Sequence, residues 1–304
     1  MLTGIRSHGL VVLFAIGIGW MTIRCRYAQI SSVLKWLALS LFAYVVTALW
    51  IGVEWSAVLR DTFIPSWPQG NEAWKHLVAI LGTTISPYLF VWQASQEVEE
   101  EKTMGRHLLS RRGATSKEIE HREIDVGVGT LFSNLVMYFV MVTCALTLHA
   151  HGKTNIETSR KAADALKPLA GAFASVLYTV GLLGIGLLAV PTLTGSAAYA
   201  VAETFHWPEG IDKPLAAARS FYGVVIVSML LGVAIDLGGI RPMQALYTSA
   251  VINGILAPFL LLGILCVAGH RALMQGQPSS PLSLAVVGLT ALLMLVAAIA
   301  MFMT

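Results

Sequence analysis

Apolar residues gather into eight runs separated by polar and charged segments, at roughly 9–23, 34–53, 76–97, 126–149, 168–203, 220–240, 242–270 and 283–303. About twenty apolar residues of helix cross the hydrocarbon of a bilayer, so each run predicts a membrane-spanning helix. The first run, GLVVLFAIGIGWMTI, has the length of a signal-peptide core, but Arg24 and Arg26 follow it in place of a small-residue cleavage site. The fifth is too long for one straight span and too short for two with a turn. It predicts a single tilted helix, kinked near Pro191.

Composition turns this pattern into a class. With 56% hydrophobic and 12% charged residues and a mean hydropathy of +0.71, the chain reads as an all-α integral membrane protein of about eight transmembrane helices, with the lipid bilayer as its partner. The runs recur along all 304 residues and leave no stretch for a separate water-soluble domain, so residues 1–304 form a single transmembrane domain. The net charge of +3 is spread between runs, which excludes nucleic acid as a partner. Three distant cysteines, Cys25, Cys144 and Cys266, support neither a disulfide framework nor a thiolate metal site. Placing the segments 24–35, 98–125, 204–219 and 271–282 on the cytoplasmic side gives them 12 of the 20 basic residues, six of these in the loop 98–125.

The third run carries the chemistry. In GTTISPYLFVWQASQEVEEE, Pro87 lacks an N–H and clashes with the carbonyl of Thr83, while Gly82 loosens the backbone just before it. A break here frees carbonyls at membrane depth, where irregular backbone survives only if protein buries it or it lines a cavity. Two readings stay open. Either the break is an ion site of the kind transporters build from unwound helices, or Thr83, Thr84 and Ser86 satisfy the carbonyls of a plain proline kink. At the end of the same run Glu97, Glu99, Glu100 and Glu101 crowd a helix C-terminus, where the macrodipole disfavours negative charge. They form either a cation-attracting cytoplasmic vestibule or a solvated helix end paired with the basic loop that follows. There is no His-Glu-x-x-His, no Gly-x-Ser-x-Gly and no phosphate loop, so nothing points to an enzyme.

GTTISPYLFVWQASQEVEEE, together with VLKWLALSLFAYVV, GTLFSNLVMYFVMV, GLLGIGLLAVPTLTGSAAYAVAE, ARSFYGVVIVSMLLG and ALYTSAVINGILAPFLLL, resembles the natural resistance-associated macrophage protein (NRAMP) family of divalent metal transporters, in a divergent bacterial form. The resemblance implies a LeuT-type inverted-repeat transporter fold, here partial, with the eight spans similar to the family's fourth to eleventh helices. It further implies a multi-pass protein of the bacterial inner membrane, a divalent metal cation as substrate and no cofactor. The family's first three helices, with their Asp-Pro-Gly-Asn motif, have no counterpart. The resemblance therefore implies a fragment, a truncated product or a protein without half of its site, with a missing N-terminal segment as a partner.

Carried over residue by residue, the resemblance makes the Thr83 carbonyl and the Ser86 side chain the metal ligands. Ser86 stands where the family has methionine and Tyr88 where it has histidine. Gly82, Pro87 and Tyr88 belong to the helix break and gating. Ala250 stands where the family has a glutamine, and Asn253 substitutes for it on the same face, or else makes an interhelical hydrogen bond. Hydroxyl and carbonyl oxygens suit Mg, Ca and Mn, whereas a thioether favours softer ions, so Mg or another hard cation competes with the Mn or Fe of the family. Transport is expected when the missing N-terminal part is supplied. The alternative is a non-transporting membrane scaffold with a role in assembly.

Overall fold

The computed structural model describes residues 8–24, 41–50, 54–64, 67–106, 113–149, 152, 163, 171, 174–211 and 213–303. Among these residues there are helices and no strands. In chain order they are α1 (His8–Arg24), α2 (Phe42–Trp50), α3 (Trp55–Phe63), α4 (Gly70–Thr84), α5 (Pro87–Thr103), α6 (Ser116–Thr147), α7 (Ala174–Thr204), α8 (Arg219–Leu237), α9 (Pro242–Ala268) and α10 (Pro281–Met303). Among the described residues six stretches are long and apolar enough to cross a membrane, with α4 and α5 together forming one of 34 residues. The chain is a multi-pass all-helical membrane protein.

Helix boundaries depart from the apolar runs where polar chemistry extends them. α6 starts ten residues before the apolar run at 126, because Thr115 and Glu118 close a capping box. The Thr115 hydroxyl accepts the Glu118 N–H at 3.3 Å and the Glu118 carboxylate accepts the Thr115 N–H at 2.7 Å. α5 likewise runs on to Thr103, so helix occupies both ends of the predicted loop 98–125, whose residues 107–112 lie outside the described set. The run 34–53 is described over 41–50 alone, and the run 168–203 is described at 171 and from Ala174. Its helix passes through Pro191 without interruption. α3 corresponds to no apolar run.

The described chain falls into two compact units, one of residues 1–65 and 114–243, the other of residues 66–113 and 244–304. In the first, α7 and α8 meet through buried aromatics, with the Tyr199 and Phe221 rings 4.8 Å apart edge to face. α1 packs on both helices, burying Ile18 and Thr22. α2 packs on α6, where the Thr143 hydroxyl donates to the Tyr44 carbonyl at 2.9 Å. α3 is held to α6 by the Thr62 and Tyr138 hydroxyls at 2.9 Å and by Trp55 against Phe139.

In the second unit α4 lies against α10 through Trp74, Val78, Ala297 and Met301, with Val251 and Ile255 of α9 beside them. Ala257 and Leu261 of α9 meet Ala291 and Met294 of α10 in an adjoining cluster. Lipid tails are as apolar as these side chains, so close van der Waals contact and polar ties do the holding. Two such ties fix α4: the Asn71 amide donates to the Met301 carbonyl at 3.0 Å, and His76 Nδ1 shares a 2.7 Å hydrogen bond with the Tyr247 hydroxyl.

Candidate functional site

The helix breaks where the sequence places the break. α4 ends at Thr84, Ile85 leaves helical geometry at φ −111°, ψ 70°, and Ser86 is extended at φ −86°, ψ 126°. Pro87 then opens α5 at its first helical position, where a missing N–H costs nothing and the fixed φ suits a helix start. The extended residue before proline relieves the clash with the proline ring.

Hydroxyls occupy the freed carbonyls. Ser86 Oγ donates toward the Gly82 carbonyl at 2.8 Å and the Thr83 carbonyl at 3.0 Å. Thr83 and Thr84 donate back to the carbonyls of Ala79 and Ile80, both at 2.8 Å. Gly82, Thr83 and Ser86 thus form one hydrogen-bonded turn, with Ser86 only 3% exposed. This is the pattern expected of a satisfied proline kink, and it leaves oxygen lone pairs as the only inorganic-ligand chemistry at the turn. Tyr88 is half-buried on the first turn of α5, and Asn253 is half-buried on α9.

A residue that the sequence reading passed over locks this turn in place. A Cβ on Gly82 would run into the Ala250 carbonyl oxygen and the Gly254 N–H, and would stand 2.7 Å from Gly254 Cα. A Cβ on Gly254 would run into the Val78 carbonyl and stand 2.7 Å from Val78 Cγ1. α4 and α9 therefore touch backbone to backbone at the last full turn before the break, with Asn253 next in sequence to the contact. The available signal was the spacing of Ala250, Gly254 and Ala257, small residues four and three apart on one face of α9.

The carboxylates lie elsewhere. Glu97 is eleven residues beyond Ser86, roughly 16 Å along α5 at 1.5 Å per residue. Glu97 accepts from Gln93 Nε2 at 2.7 Å, and Glu99 pairs with Lys102 at 2.9 Å. The buried Glu101 faces Arg106 at 3.9 Å, while Glu100 is exposed. Among the described residues no three His, Cys, Asp or Glu side chains gather to hold a metal. Among the described residues, the turn itself offers an ion only uncharged oxygens.

The family described as natural resistance-associated macrophage protein-like matches residues 1–304. A divalent metal cation transporter MntH of Caldanaerobacter subterraneus subsp. tengcongensis is 27% identical over 231 residues, covering 75% of this chain and 50% of that protein. The MntH of Clostridium acetobutylicum is 27% identical over 238 residues, 76% of this chain and 50% of its own length. The MntH of Acidiphilium cryptum is 25% identical over 294 residues, 96% of this chain and 60% of its own length. The chain spans about half the length of the first two of these curated relatives.

Proposed function

Because the chain belongs to the natural resistance-associated macrophage protein-like family, a family of transporters and not of enzymes, we propose that it serves the passage of divalent metal cations across the bacterial inner membrane. The reading places the ion at the turn Gly82–Pro87, within a LeuT-type arrangement in which a broken helix presents main-chain oxygens to the substrate. The observation that carries it is the interruption itself: Ile85 and Ser86 leave the helix in the middle of a 34-residue helical stretch that is apolar enough to cross a membrane. Thr83 offers its carbonyl and Ser86 its hydroxyl oxygen, with Tyr88 on the access side and Asn253 as an auxiliary oxygen.

Neutral oxygens do not offset the cost of dehydrating a doubly charged ion, and hard-cation sites rely on carboxylates. Transport on this reading therefore needs carboxylates supplied from a segment beyond the turn, and an N-terminal partner segment bearing an Asp-Pro motif would meet that need. With an all-oxygen turn, Mg or Mn is the favoured ion. The test is metal-flux competition in proteoliposomes among Mg, Mn and Cd, comparing the parent with Ser86→Met. The added thioether is expected to move preference toward Cd and Mn. An unchanged order in a folded variant would remove Ser86 from the ion's surroundings.

A second reading is favoured by one observation, the use of the Ser86 proton on the Gly82 and Thr83 carbonyls. In a non-transporting scaffold the turn would be a structural kink, and neither parent nor variant would pass any metal even when reconstituted together with the carboxylate-bearing segment.

A further inference from the structure

α7 leaves the membrane through a tightly specified turn. The Trp207 N–H donates to the Ala202 carbonyl at 2.8 Å and the His206 N–H to the Glu203 carbonyl at 3.2 Å, the paired bonds of a Schellman cap. His206 holds the left-handed position of that cap at φ 55°, where glycine is usual, and Pro208 prevents the helix from continuing. A side chain kept in a conformation that costs energy is sustained only where its surroundings fix it.

What the turn displays is apolar. The rings of Phe205 and Trp207 stack at 5.1 Å with 21° between their planes, yet Phe205 is 61% and Trp207 38% exposed. The segment behind them is held rigidly. Tyr199 accepts the Ile211 N–H at 3.0 Å, and Tyr222 donates toward the carbonyls of Ile211 at 2.7 Å and Lys213 at 2.9 Å, with both rings buried. The segment that follows the stack is therefore tied to α7 through Tyr199 and to α8 through Tyr222.

We propose that the Phe205–Trp207 stack is a membrane-interface anchor, seated among lipid headgroups and upper acyl chains, that sets the depth of α7 and α8. Two spans end at this segment, so it lies at the boundary between hydrocarbon and water. Both spans carry exposed apolar side chains, among them Leu193 of α7 and Ile226 and Val227 of α8, while the segment between them includes the exposed His206 and the half-buried Lys213. Aromatic rings concentrate at this boundary because one side prefers hydrocarbon and the other tolerates water. Trp207 adds an indole N–H able to donate to a lipid phosphate or carbonyl oxygen.

The test uses the whole chain carrying 5-fluorotryptophan, in nanodiscs of phosphatidylcholine and phosphatidylglycerol, with the Trp207 fluorine resonance assigned by its loss in Trp207→Phe. A nitroxide at an upper acyl position should erase most of this resonance, and a water-soluble gadolinium chelate should leave most of it. Phe205→Ala, which removes the stacking partner without touching the cap, should increase broadening by the chelate. Broadening of the parent by the chelate alone would place the stack in water, and broadening by neither agent would mean that another protein surface covers it. Either result overturns the anchor. None of these readouts depends on metal transport.

Discussion

Two prolines meet the same membrane problem with different results. Pro87 separates α4 from α5, whereas Pro191 lies inside a 31-residue helix that continues on both sides. Each deletes one N–H, orphaning the carbonyl of Thr83 in one case and of Leu187 in the other. The difference lies in the neighbours. At Pro87 a serine directly precedes the ring, and its extended backbone lets the hydroxyl reach back to two carbonyls. At Pro191 the hydroxyls follow, with Thr192, Thr194 and Ser196 bonding to the carbonyls of Leu188, Val190 and Thr192 inside a continuing helix. The break also has an external brace, the contact of Gly82 with Gly254. A proline is thus a request to leave the helix, granted where a hydroxyl and a packed neighbour support the departure.

The largest blow to this comparison should come from the brace. Gly254→Ala inserts a methyl group into the Val78 backbone and is expected to destabilise the fold by about 1–3 kcal/mol, seen as a lowered thermal midpoint in detergent. Gly17→Ala, where nothing stands within 4 Å of the added carbon, is the control and should be near neutral. Equal midpoints for the two variants would mean that α4 and α9 are not in backbone contact. Next comes Ser86→Ala, which strips the donor from two carbonyls and should cost roughly 1–3 kcal/mol. The Thr194→Val counterpart removes a hydroxyl whose acceptor, the Val190 carbonyl, lies in a continuing helix, so a change below about 0.5 kcal/mol is expected.

The proline exchanges sharpen the comparison further. Pro87→Ala should leave the break in place, with the amide of residue 87 still exchanging fast by hydrogen-exchange mass spectrometry. In Pro191→Ala the restored N–H should bond the Leu187 carbonyl and add about 1 kcal/mol of stability. Resealing of α4 and α5 in Pro87→Ala would show that proline alone makes the break. The smallest effect belongs to the partly exposed Glu99–Lys102 pair, where Lys102→Met should change the midpoint by no more than about 0.5 kcal/mol.

Six of the eight expected spans have a counterpart among the described residues, and they were legible because burial in lipid imposes one rule, a long apolar run, that needs no knowledge of neighbours. The break at Pro87 was legible for a similar reason: glycine, hydroxyls and proline act within a few residues. α3 was not, since its nine residues include Arg60 and Asp61, and its apolar positions Trp55, Val58, Leu59 and Phe63 follow a helical period too short to distinguish from a loop. The extension of α6 into charged sequence was signalled by Thr115 and Glu118 but hidden by a ruler that counts only apolar residues. Gly254 was illegible as a close-packing position because its meaning depends on Gly82, more than 170 positions away. The single helix expected across Pro191 runs on through it, for the reason the first comparison gives.

The meeting of Gly82 with Gly254 also has a mechanical side. Where side chains separate two helices, rotamers can give way a little at a time and the contact is compliant. Two main chains in direct touch have no such slack, and packed contacts of this kind tend to be either seated or parted. A displacement of α4 from α9 at this crossing would then begin as a slide along the glycine surfaces or as a clean separation, which makes the crossing a stiff support directly beside the turn at Ser86.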